Sequence, residues 1–156
     1  MIRYTSQKQQ KIEEFSTPFE QKIPSNNRWV KLSKIIPWDE LASIYNKAMT
    51  PKKGRPSIDS RRIIGAIIIK HKLNLSDEET VQQILENAYL QYFLGYTSYE
   101  DKPVFSPTLF VEIRKRLGEK RFNEMHDSII DIALQTKPKK KKKISNDNEK
   151  DNEKKQ

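Results

Sequence analysis

Apolar residues recur along this chain at three- and four-residue spacing, in about seven windows bounded by residues that start or stop helices. Trp29, Val30, Leu32 and Ile35–Ile36 come after the turn and cap signal Pro24-Ser25-Asn26-Asn27 and predict a short helix. Pro37 opens a second helix, with Leu41, Ile44, Tyr45 and Ala48 on one face. Thr50 to Pro56 holds two prolines and a glycine and predicts a loop. Ser57 or Asp59 can cap the next helix, over roughly 58–73. Its residues Ile63, Ile64, Ala66, Ile67, Ile68, Ile69 and Leu73 cover most of the circumference, the mark of a buried central helix. So dense a β-branched run also fits a buried strand, and the pattern alone leaves both open.

Ser76 followed by Glu79 forms a capping box, opening a helix that carries Val81, Ile84 and Leu85. Asn87 starts another, with Ala88, Leu90, Phe93 and Leu94, and Gly95 stops it. After a loop at 96–105, Ser106 caps and Pro107 begins a helix that ends at Gly118. The last helix, from Glu119 to Gln135, places Phe122, Met125, His126, Ile129, Ile130 and Ala133 on one face. The expected fold is all-α: a compact bundle of about seven short helices with a helix-turn-helix-like unit. Residues 1–22 read as a polar extended arm, 23–136 as the helical domain, and 137–156 as a disordered Lys-rich tail. That tail has too little apolar surface to offset the entropy of ordering it.

Composition changes the picture in one respect, the placement of charge. The chain has 156 residues, a net charge of +9 and no cysteine, and its mean hydropathy is −0.87. The last 20 residues hold nine lysines and four acids, so the tail supplies +5 of the total. Elsewhere the excess lies in two clusters. Residues 52–62 carry Lys52, Lys53, Arg55, Arg61 and Arg62 against Asp59, and residues 114–121 carry Arg114, Lys115, Arg116, Lys120 and Arg121 against Glu119, each a net of +4. Two such clusters on a slightly acidic background suggest a directed patch for a polyanion.

The absence of cysteine excludes disulfides, thiol catalysis and Cys-ligated zinc. The polar N-terminus has no signal-peptide pattern. The longest apolar run, Ile63 to Ile69, is too short to span a bilayer, so a cytoplasmic protein without a membrane partner is expected.

The helix at 107–117 is the leading candidate site. Phe110, Ile113 and Leu117 face one way, Thr108, Val111 and Lys115 the other, with Arg114 at the edge. A short capped helix with a cationic end has the shape to enter a DNA major groove, with Thr108 and Val111 near bases and Arg114 and Lys115 on phosphate or guanine. The bland alternative is a core helix whose basic end answers the helix dipole. Lys52-Lys53-Gly54-Arg55-Pro56 is similar to the core of an AT-hook, whose Arg enters a narrow minor groove, or is simply a flexible basic loop between helices, and Arg61 and Arg62 continue that patch toward phosphate. Lys137 to Lys143 is a run that either grips nucleic acid non-specifically or stays solvated.

Catalysis has little support. His71 and His126 are the only histidines and have no metal-ligand spacing, and His126 falls in an apolar stripe. No P-loop, nucleophile elbow or dinucleotide fingerprint is present. No metal and no cofactor is expected.

From G-R-P-S-I-D-S-R-R-I-I-G-A-I-I-I-K-H-K-L-N-L-S-D-E-E-T-V-Q-Q-I-L-E-N-A-Y-L-Q-Y-F-L-G-Y to F-S-P-T-L-F-V-E-I-R-K-R-L-G, the chain resembles the N-terminal helical domain of bacterial insertion-sequence DDE transposases. The resemblance covers roughly residues 19–130. It implies a module that binds double-stranded DNA at the terminal inverted repeats of a mobile element, with roles falling on Arg55, Ser106, Thr108 and Arg114. That family's catalytic half is a ribonuclease-H-like domain with an Asp, Asp and Glu set for two Mg²⁺ ions. It comes after the helical domain there, whereas here a Lys/Asn/Glu tail does. The expectation is therefore a truncated, non-enzymatic DNA-binding product. The alternative is an oligomerisation module that pairs with itself or with a full-length transposase and inhibits it. Met125, Ile129 and Ile130 are the expected oligomer interface.

Overall fold

The dense isoleucine run forms a helix, and other helices pack around it on several sides. In the computed structural model, which describes residues 3–6, 15, 17, 22–49 and 58–135, that helix is α3 (Ser60–Leu73), preceded by α1 (Arg28–Ile35) and α2 (Trp38–Ala48). It is followed by α4 (Asp77–Glu86), α5 (Ala88–Phe93), α6 (Thr108–Leu117) and α7 (Glu119–Leu134). α2, α4 and α7 all pack on α3, and Ile63 through Ile69 are buried without exception. Each large apolar side chain among them contributes roughly 1.5–3 kcal/mol by leaving water. The fold is all-α, as expected.

Local chemistry sets the boundaries. Asp59 caps α3 by accepting from the Arg61 amide at 2.9 Å. Asn74 closes the helix in the left-handed region, at φ 53°. Only half of the Ser76–Glu79 capping box forms. Ser76 Oγ accepts from the Glu79 amide at 3.1 Å, while the Glu79 carboxylate accepts from Gln83 at 2.8 Å. Asn87 caps α5 through the amides of Tyr89 and Leu90. α1 and α2 meet at Pro37, a corner held by the Trp38 indole N–H donating to the Ser33 carbonyl at 2.8 Å. Trp29 and Trp38 both pack edge-on against Phe93, at 5.2 and 5.1 Å between ring centroids, tying α1 and α2 to α5.

One expectation needs revision. Met125, Ile129 and Ile130 are 4%, 0% and 4% exposed. They cannot form an oligomer interface, because α2, α3 and α6 already cover that face of α7. The described residues of the N-terminal arm pack on the helical body. The Arg3 carbonyl accepts from the Ser60 amide at 2.6 Å, the Tyr4 hydroxyl donates to Asp39 at 2.6 Å, and the Thr5 hydroxyl donates to Asp59. Phe15 is buried edge-on to Tyr92 at 5.7 Å. The Lys-rich tail lies outside the described residues.

Candidate nucleic-acid interface

α6 presents the expected two faces. Phe110, Ile113 and Leu117 are buried, with Phe105 edge-on to Phe110 at 5.7 Å. On the opposite side Thr108, Val111, Glu112 and Lys115 form one exposed stripe. Among the described residues, Val111 is one of two large apolar side chains left open to solvent, at 39%. Ser106 is exposed at the head of the helix, its Oγ 2.9 Å from the Thr108 hydroxyl and accepting from the Thr108 amide at 3.3 Å. Ser106 therefore does the capping, with Pro107 already in helical conformation. Gly118 ends the helix at φ 79°, where its missing Cβ removes the strain. Arg116 and, in the first turn of α7, Lys120 and Arg121 are exposed beside this stripe.

Arg114 is placed otherwise. Its guanidinium grips Asp77, the first residue of α4, through two hydrogen bonds of 2.9 and 3.1 Å, and it lies 5.3 Å from the Phe122 ring centre. Lys70 of α3 approaches the same carboxylate at 3.3 Å. Burial disfavours the Asp77 carboxylate, but the hydrogen bonds and charges of Arg114 and Lys70 outweigh it and hold it below its usual range. The bond to Asp77 in turn raises Arg114. Three helices thus converge on one acid, which fixes α6 against α3 and α4. Arg114 orients the helix rather than offering an unengaged cation to a phosphate.

The other basic cluster divides in the same way. Arg61 is fully buried, 0% exposed, with its guanidinium 4.5 Å from the Trp38 ring centre and donating to the Phe93 carbonyl at 3.4 Å. Burial lowers its pKa to about 10, so it stays cationic at neutral pH. The expected phosphate contact is ruled out because the side chain points into the core. Arg62 is half-buried and sits 3.9 Å from the Tyr96 ring centre. Burial pushes the Tyr96 hydroxyl up to about 12, with Arg62 pulling the other way. Lys52, Lys53 and Arg55 lie outside the described residues.

The fold brings together groups that spacing kept apart. The rings of His71 and His126 are 5.8 Å apart, and His126 Nδ1 is 3.3 Å from Asp127. A cleft of about 50 Å³ opens between Ile67, Lys70, Phe110, Arg114, Phe122 and His126. Among the described residues, no three His, Asp or Glu side chains are grouped to hold a metal. No helix among them is long and apolar enough to cross a membrane.

Two residues that matter were not legible as such. Asp77 reads in sequence as an ordinary acid in a first turn. Gln91 reads as a polar residue between apolar ones, yet it is fully buried. Its amide nitrogen donates to the carbonyls of Ile84, Leu85 and Glu100, and its oxygen accepts from the Glu100 amide at 2.7 Å. That network pins the middle of the loop leading to α6. A polar residue inside an apolar window was the available signal.

Comparison with known proteins places this architecture. Residues 17–116 match the family model described as Transposase domain (DUF772). The chain belongs to this transposase-domain family. The matched segment takes in α1 to α5 and nearly all of α6, so the candidate helix lies inside the transposase domain and α7 beyond the match. Over 107 residues the chain is 32% identical to an uncharacterized protein, ORF8 in the nfe locus of Rhizobium meliloti, a stretch that is 69% of this chain and 51% of the relative. The chain therefore spans about half the length of the curated relative it matches. No solved structure matches it.

Proposed function

We propose that this transposase domain binds duplex DNA through the exposed stripe of α6, at the terminal inverted repeats of an insertion sequence. The observation that carries the reading is the division of labour on α6. Phe110, Ile113, Leu117 and the Arg114–Asp77 clamp fix the helix from within, while Thr108, Val111, Glu112 and Lys115 remain open on its outer side. A rigidly held helix with a mixed polar, apolar and cationic outer face suits base-edge reading. Val111 can meet a thymine methyl, Thr108 can donate or accept, and Lys115 suits guanine or phosphate. Glu112 repels phosphate but accepts from a cytosine amino group, which suits a stripe turned to the groove floor. Family membership supports a role in transposition.

In this reading the helical domain does the binding and contributes no catalytic group. Pairing with a full-length transposase through α7 draws no support, since the apolar face of that helix is internal. The test is a binding titration of the chain carrying Thr108→Ala, Val111→Ala and Lys115→Ala together. Loss of preference for the repeat over a scrambled duplex, with unchanged thermal unfolding, is the expected result. Retained preference would overturn the assignment to α6.

A further inference from the structure

A second cationic face lies on α1, in neither of the charge clusters. Its inner side is Trp29, Val30 and Ser33, all buried, and packed against α5. Arg28, Lys31, Lys34 and Ile35 are all exposed. Arg28, Lys31 and Ile35 stand at i, i+3 and i+7, on the side opposite that core face. The helix carries three cations and no acid, and among the described residues none of the three enters an ion pair, Arg28 lying 5.4 Å from the Trp29 ring centre. The nearest acids along the chain are Asp39 and Glu40 in the first turn of α2, and Asp39 accepts from Tyr4. Ile35 is 75% exposed, the most open large apolar side chain among the described residues. An isoleucine so placed amid cations is not explained by the fold.

We infer that the outer face of α1 is a second duplex-DNA contact, in which Arg28, Lys31 and Lys34 engage backbone phosphates and Ile35 packs against the sugar–phosphate wall. The row from Arg28 to Lys34 is about 9 Å long at the helical rise, enough to meet two or three neighbouring phosphates of one strand once the reach of the side chains is added. Charge complementarity favours nucleic acid over protein: three cations without an acid match a uniformly anionic lattice and lack the mixed charge that a protein partner presents. The inference rests on the DNA-binding reading of α6 and extends it. α6 would supply discrimination, and α1 would supply sequence-independent grip.

The experiment titrates the full chain, the Arg28→Gln/Lys31→Gln/Lys34→Gln variant, Ile35→Ser and Lys115→Gln with inverted-repeat and scrambled duplexes across a salt series. The α1 triple variant should lose at least about tenfold in affinity for both duplexes. Its slope of log affinity against log salt should flatten by about 2 to 3. Preference for the repeat and the melting temperature should stay unchanged. Ile35→Ser should weaken both duplexes several-fold without altering the slope. An α1 variant that binds with wild-type affinity and slope, while Lys115→Gln is weakened, overturns the α1 contact alone. An α1 variant that is weakened, while Lys115→Gln is not, overturns the α6 assignment alone. A wild-type chain that binds neither duplex overturns both.

Discussion

The start of α3 and the end of α6 carry the same kind of basic cluster, and the fold uses them in opposite ways. On each helix the first cation turns inward. Arg61 enters the core over Trp38, and Arg114 closes on Asp77. The difference lies in the next residues of each helix. Beyond Arg61, Arg62 is half-buried against Tyr96. Beyond Arg114, Lys115 and Arg116 are exposed, with Lys120 and Arg121 close behind in α7. A run of like charge therefore does not say how much of it reaches solvent. That depends on whether the helix is surrounded, as α3 is, or has one bare side, as α6 has.

The largest effect on this contrast is expected at Arg61. Arg61→Ala leaves a cavity beside Trp38 and should cost about 3 kcal/mol in denaturant unfolding. A cost near zero would mean that the guanidinium is not held in the core. Gly95→Ala should come next, at about 2 kcal/mol by the same measurement. Gly95 sits at φ +89°, and an added Cβ would come within 2.9 Å of Arg61 Cδ.

Asp77→Asn probes the inward part of the second cluster and should cost about 1–2 kcal/mol at neutral pH. Its sign with pH is fixed. The folded Asp77 value lies below the ordinary 3.8, so its contribution is present above that value and fades as pH falls through the folded one. The gap between wild type and Asp77→Asn should narrow on acidification below pH 3.8. A gap that stays constant to the acid limit would contradict the clamp. Lys115→Ala should leave unfolding within about 0.5 kcal/mol of wild type, while weakening DNA affinity by about 1 kcal/mol, a factor of about five. Arg62→Ala, which gives up one partly exposed ring contact, should cost least, about 0.5 kcal/mol of stability.

Much of this fold is legible because local and global signals agree. Asp59, Ser76, Asn87 and Gly118 are cap or stop residues beside apolar windows, and the helices begin and end at or beside them. The two readings of the isoleucine run were separable only by what packs around it, which periodicity does not encode. The outer face of α6 was legible because amphipathic spacing tells inside from outside. Arg61 was not, since charge ordinarily signals exposure and its burial depends on Trp38, from another helix. Arg114 was misread for a related reason: Asp77, 37 residues earlier, is brought to it only by the tertiary fold. Met125, Ile129 and Ile130 were correctly read as an apolar face, but sequence could not say that α2 and α3 already cover it.

The most direct test of DNA recognition by this domain is fluorescence-anisotropy titration of the full chain with the flanking inverted-repeat duplex and a scrambled duplex of equal length, at several salt concentrations. Binding to the repeat should be at least about tenfold tighter, with both affinities falling as salt rises. Equal affinity for the two duplexes at every salt concentration would contradict recognition of the repeat by α6.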